Sequence, residues 1–111
     1  MELDIKTQQQ HSRCEITVHG EVDLYTAPKL KEKFVEMIEG GYADVVLDLE
    51  GVSFIDSSGL GVLVGALRRA RERGGAVRVV CTRDSILKIF RITGLDKVFA
   101  IFANTAEARE F

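Results

Sequence analysis

Val45-Val46-Leu47-Asp48-Leu49 is followed by Ile55-Asp56-Ser57-Ser58-Gly59-Leu60-Gly61-Val62-Leu63-Val64-Gly65-Ala66-Leu67, and the change of rhythm between the two runs decides the fold. The first is short, apolar and β-branched, as a buried strand should be. In the second, Leu60, Leu63, Val64, Leu67 and Ala70 recur at helical spacing. This predicts a strand over Val45–Leu47 with Leu49, a connection over 51–58, and a helix from around Ser58 that ends before Gly74-Gly75. A strand feeding a helix is half of a βαβ unit, so the neighbouring strands should run parallel.

The same alternation extends in both directions. Upstream, Leu3-Asp4-Ile5 opens a strand, and the polar run from Gln8 to Arg13 reads as a turn. Cys14, Ile16 and Val18 alternate with Glu15, Thr17 and His19, which marks a half-buried strand ending near Gly20. Glu21 to Thr26 reads as a loop. Thr26 is a candidate N-cap, and Pro28 fits the first turn of a helix. Ala27, Leu30, Phe34, Met37 and Ile38 give that helix its apolar face, and Gly40-Gly41 ends it. Downstream, Val77, Val79 and Val80 form a strand. A third helix is capped by Asp84 or Ser85, carries Ile86, Ile89, Phe90 and Thr93 on one face, and stops at Gly94. Leu87 and Ile92 fall off its main apolar face; they either line a second contact or pack beneath the last strand, and packing is the expectation. That strand covers Val98 to Phe102, and a short terminal helix starts at Asn104 or Thr105. The predicted order is β-β-α-β-α-β-α-β-α. This is an α/β domain with a mixed, largely parallel sheet and about four helices, with residues 1–111 forming one domain.

Composition excludes several classes. The chain has 111 residues, 46% hydrophobic and 29% charged, as expected of one soluble globular domain. Lys plus Arg is 15 and Asp plus Glu is 17, so the net charge of −2 gives no overall basic footprint for nucleic acid or anionic lipid. Arg68, Arg69, Arg71 and Arg73 have no interleaved aromatics and read as a solvated helix face. Cys14 and Cys81 are isolated, with no CxxC and no metal spacing, and pack as small apolar groups. An acidic start with no long apolar core is not a secretory signal, so the expected compartment is the cytoplasm. His11 and His19 have no ligand cluster around them, no nucleophile elbow is present, and no cofactor is expected.

The chemistry is concentrated at Asp56-Ser57-Ser58-Gly59-Leu60-Gly61, where a coil becomes a helix. Backbone N–H groups there lack helical partners, and the dipole is positive. Three readings are open. One of the hydroxyl or carboxyl groups caps the helix. Alternatively, Gly59-Leu60-Gly61 opens a phosphate loop, although the third glycine falls at Gly65, one residue late for GxGxxG, and no P-loop lysine follows. Or a serine itself accepts a phosphate, gaining about −1.5 to −2 charges that would repel an acidic partner.

Gly20-Glu21-Val22-Asp23, the run from Leu49 to Leu63, and Phe90-Arg91-Ile92-Thr93-Gly94-Leu95 closely resemble the bacterial anti-sigma factor antagonists, the stand-alone STAS-domain proteins. The resemblance spans nearly the whole chain, in order and at matching intervals. It implies a partner-switching protein rather than an enzyme. The unmodified form would bind an anti-sigma factor that is also a serine kinase, and so free a sigma factor. Phosphorylation would end that binding, and a PP2C-type phosphatase would restore it. The resemblance places the phosphoacceptor at Ser57 and leaves Ser58 as the helix cap. It assigns Asp23, Asp56, Ser57, Ser58, Gly59 and Leu60 to partner binding, with no direct contact to nucleic acid or membrane. The competing reading is a STAS nucleotide-binding sensor or a scaffold subunit of a signalling complex. Scaffolds usually carry a sensory domain, for which 111 residues leave no room.

Overall fold

The alternating buried residues Cys14, Ile16 and Val18 and the unbroken apolar run Val45-Val46-Leu47 build the sheet. The computed structural model describes residues 2–111. Its elements are β1 (Asp4–Gln10), β2 (Arg13–Val22), α1 (Ala27–Glu39), β3 (Asp44–Ile55), α2 (Ser57–Glu72), β4 (Ala76–Val80), α3 (Asp84–Thr93), a single 3₁₀ turn (Leu95–Lys97), β5 (Ala100–Phe102) and α4 (Thr105–Glu110). The five strands lie in the order β1-β2-β3-β4-β5, with β1 antiparallel to β2 and every other pair parallel.

This strand order never reverses, so the crossover helices collect on one face. Cys14, Ile16, Val45, Leu47, Val77 and Val79 point to that face. Leu30, Phe34 and Ile38 of α1, Leu63, Leu67 and Ala70 of α2, and Ile86 and Phe90 of α3 close over them. Phe90 meets Phe99 edge-on at 6.0 Å. Burial pushes the Cys14 thiol up to about 11, which fits an inert packing role.

The opposite face is largely polar. Among the described residues only α4 covers it, seating Ala108 on Val46 and Val80 with Phe102 beside them. An ion pair from Arg109 to Glu15 holds α4 down. The Arg13 guanidinium donates to the Arg109 carbonyl at 2.7 Å, and Phe111 leans on Phe102 at 5.2 Å. Among the described residues, no helix is long and apolar enough to cross a membrane.

Several boundaries differ from expectation. Gln8 to Gln10 are strand rather than turn, because they pair with Glu15, Cys14 and Arg13 and leave only His11-Ser12 to reverse the chain. β2 runs on to Val22. Gly20, at φ +117°, accommodates an irregularity in the ladder rather than ending the strand. β3 likewise absorbs residues expected as connection, because its far end pairs with β2 as far as Ile55. β5 is shorter than expected, since Leu95–Lys97 forms the 3₁₀ turn before it. The N-cap position of α3 is Arg83, and neither Asp84 nor Ser85 caps it. Ile92 is 73% exposed and does not pack under the last strand, whereas Leu87 packs at the core margin. The inward face of α2 carries Gly59, Leu63, Ala66, Leu67 and Ala70, with Leu60 and Val64 at its flanks. Leu63, Leu67 and Ala70 face inward as expected, and Gly59 rather than Leu60 meets the strand ends.

Hydrogen bonding to Arg109 holds the Glu15 carboxyl below its usual value of 4.5. A carboxyl lowered by folding stabilises above its unfolded pKa and loses that contribution as pH falls toward the folded one. Arg109→Ala should therefore cost about 0.5–1 kcal/mol at pH 7. In urea melts the difference from wild type should shrink as pH drops below 4.5. A difference that stayed constant with pH would rule out the ion pair as its source.

Candidate functional site

The strands β2 and β3 deliver two loops to the same end of the sheet, and one carboxylate joins them. Asp56 is the N-cap of α2, with its Oδ1 accepting from the Gly59 N–H at 3.1 Å. Its Oδ2 accepts from the Leu24 N–H at 3.2 Å, in the loop between β2 and α1. Its own N–H donates to the Val22 carbonyl at 3.1 Å. The cap is therefore Asp56, not Ser58. Asp56 has the extended backbone a cap needs, φ −106° and ψ −173°, and the helix has already begun at Ser57.

Gly59 explains how close the two loops come. It is buried. A Cβ placed on it would lie 2.7 Å from both Val22 Cγ1 and Ile55 Cγ1, and 2.9 Å from the Val22 carbonyl oxygen. Glycine lets the first turn of α2 rest directly on the ends of β2 and β3. Gly59 thus positions the site from beneath and presents no surface outward.

Asp23 closes the other loop. Its Oδ1 accepts from the N–H groups of Tyr25 at 2.9 Å and Thr26 at 3.0 Å. The Thr26 hydroxyl accepts from the Asp23 N–H at 2.9 Å and donates to the Glu21 carbonyl at 2.7 Å. Thr26 holds the N-cap position of α1 but makes no side-chain cap bond to the helix, because its hydroxyl is committed to this turn. The Thr26 N–H above all, then that of Tyr25, keeps the Asp23 carboxyl below its usual value of 3.8. Asp23 is thus ionised throughout the neutral range, and its hydrogen bonds to the turn favour that form.

The structure brings Asp56, Ser57, Ser58 and the Asp23 loop to one end of the sheet. Ser57, at the first helical position, is exposed, and Ser58 and Leu60 are half-buried. The N–H groups of Ser57 and Ser58 have no helical carbonyl to bond. Sequence reasoning passed over the apolar part of this surface. Leu24 is 64% exposed and Tyr25 86%, both on the loop pinned by Asp56, and Phe54 is 46% exposed opposite Glu21. Two large apolar residues in a short acidic loop were a usable signal, since an exposed apolar group on an ordered loop favours a contact role.

An unreversed α/β sheet with all its crossover helices on one face, and a serine-bearing helix start pinned to the neighbouring loop, defines a STAS-type domain. The STAS domain model matches residues 3–108, and the chain belongs to this family. Over 105 residues it is 34% identical to the anti-sigma-B factor antagonist of Bacillus subtilis, covering 95% of each chain. Among solved structures it superposes on an anti-sigma factor antagonist from Mycobacterium paratuberculosis with a TM-score of 0.89 and 25% identity, covering 98% of this chain and 92% of that one. It also shares its fold with the Bacillus cell fate determinant SpoIIAA in the phosphorylated form, with a TM-score of 0.75 and 20% identity over 96% and 98% of the two chains.

Gly59→Ala should lose about 1–3 kcal/mol, the usual cost of overpacking, measured by urea denaturation; an unchanged midpoint would mean that the helix start is not held in contact. Asp56→Ala should cost about 1 kcal/mol as a lost cap. It should also speed amide exchange at Leu24 as well as Gly59. Acceleration at Gly59 alone would mean that the carboxylate does not bridge the loops.

Proposed function

We propose that this chain is an anti-sigma factor antagonist switched by phosphorylation of Ser57. In this reading the unmodified protein binds an anti-sigma factor, which is also a serine kinase, and so releases a sigma factor. The observation that carries it is the exposed Ser57 hydroxyl on a rigid helix start, beside the exposed Leu24 and Tyr25. The antagonist relatives and the family resemblance of the Asp56–Gly61 motif support it. Asp23, Asp56, Ser57 and Ser58 make up the polar part of the docking surface, and Leu60 adds apolar area beside them. Leu24 and Tyr25 make the apolar part, and Gly59 sets its height.

The switch follows from charge. The Ser57 Oγ attacks the γ-phosphorus of the ATP held by the kinase. The Oγ–P bond forms, the bond to the β-phosphate oxygen breaks, ADP leaves, and the hydroxyl proton passes to a base on the kinase. The dianion then lies at the positive end of α2, near the N–H groups of Ser57 and Ser58, so the fold tolerates it. Docking does not, because a partner closing over Leu24 and Tyr25 would have to strip water from the phosphate next to Asp23 and Asp56. A PP2C-type phosphatase resets the switch by adding water across the P–O bond and releasing inorganic phosphate.

Ser57→Ala should retain the fold and the affinity for the anti-sigma factor but gain no phosphate on incubation with kinase and ATP, as read by intact mass. Phosphate appearing on that variant at the wild-type rate would move the acceptor elsewhere. Ser57→Asp should bind the same partner at least about tenfold more weakly, or 1.4 kcal/mol, with an unchanged circular dichroism spectrum. Equal affinity of the two variants by calorimetry would defeat the charge argument.

A further inference from the structure

A groove of about 280 Å³ lies between α1 and α2 on the helical face. Its lining includes Gly61 and Gly65, which sit four residues apart on one stripe of α2. Unlike Gly59, neither has a reason inside the chain to lack a side chain. A Cβ at either position would meet nothing within 4 Å, and glycine inside a helix is disfavoured relative to alanine. A local rule broken twice without internal compensation points to a requirement imposed from outside the molecule.

The surroundings of the stripe say what that requirement is. The half-buried Val35 and Val62 add apolar surface to the groove. Lys31 and Arg69 also line it, and among the described residues neither takes part in an ion pair. Their neighbours Lys33 and Arg73 do, with Glu36 and Glu39. Ser58 belongs to the same lining, which joins the groove to the helix start that carries Ser57. From Ser58 to Arg69 the helix rises about 16 Å, or three turns. A bare floor, apolar surface and two uncommitted cations complement an amphipathic helix with small residues on one stripe and carboxylates beside them.

We propose that the groove between α1 and α2 seats an acidic amphipathic helix of the anti-sigma factor, about three turns long. This rests on the antagonist reading and deepens it. The arrangement gives the switch its sign, because a phosphate on Ser57 would stand next to the Ser58 end of the groove, where it repels the carboxylates of the incoming helix.

The test is titration calorimetry of the anti-sigma factor of the source organism against four proteins: wild type, Ser57→Asp, the double variant Gly61→Ala/Gly65→Ala, and the double variant Lys31→Glu/Arg69→Glu. The alanine pair should raise Tm yet weaken binding about tenfold or more. A merely structural role for the glycines would not separate these two readouts. The charge-reversed pair should bind more weakly still, with a deficit that narrows at high salt. If wild type binds, Ser57→Asp does not, and both groove variants bind within about twofold of wild type, the groove is overturned while the antagonist reading stands. Groove variants that alter self-association in sedimentation, with affinity for the anti-sigma factor intact, would assign the face to a second copy and overturn it likewise. Failure of the wild-type protein to bind would overturn both readings together.

Discussion

The Asp56 carboxylate holds two loops with its two oxygens, and the surface at this end of the sheet depends on that bridge. One oxygen receives the Gly59 N–H and fixes where α2 begins. The other receives the Leu24 N–H and fixes the height of the loop before α1. Leu24, Tyr25 and Ser57 sit on elements that meet nowhere else in sequence. Without the bridge their relative positions would drift, and a docking surface loses affinity when its parts must be ordered on binding. The absence of a side chain on Gly59 is the steric half of the same constraint, because it lets the helix descend far enough for the bridge to close.

The topology explains why the site lies where it does. In sheets whose strand order reverses, helices diverge to opposite faces and open a crevice at the reversal. Here the order is monotonic, so the strand ends lead into adjacent loops on a continuous surface. Such a surface suits recognition of a macromolecule. The helical face extends it through the groove between α1 and α2, and α4 covers part of the far side of the sheet.

Much of the fold was legible because its periods are clean. Cys14, Ile16 and Val18 alternate without interruption, and each helix carries one apolar stripe, so element order and type follow from local residues alone. Errors arose where local chemistry pointed one way and pairing another. Gly20 looks like the end of a strand, yet the ladder of β2 and β3 carries the chain past it to Val22. The glutamines look like a turn, yet register against β2 makes them strand. In α2 helical spacing places Leu63, Leu67 and Ala70 inward, as found, but the contact of Gly59 with Val22 and Ile55 depends on the paired ends of β2 and β3. The cap of α2 follows the same rule. Three candidate cap residues follow one another at 56–58, and only the backbone conformation at Asp56 singles it out.

Element order, the placement of a serine at a helix start, and the motif shared with the STAS family are written in the chain. These are properties of short windows, where side-chain period, turn chemistry and capping preference act over a few residues. What each glycine of α2 is for emerges once the chain has folded. Gly59 and Gly61 lie two positions apart in the same helix and look equivalent in the chain. One rests on Val22 and Ile55, carried beneath it by the pairing of β2 with β3, and the other faces open space. That difference belongs to the assembled sheet, because a steric contact exists only once distant strands have been brought into register.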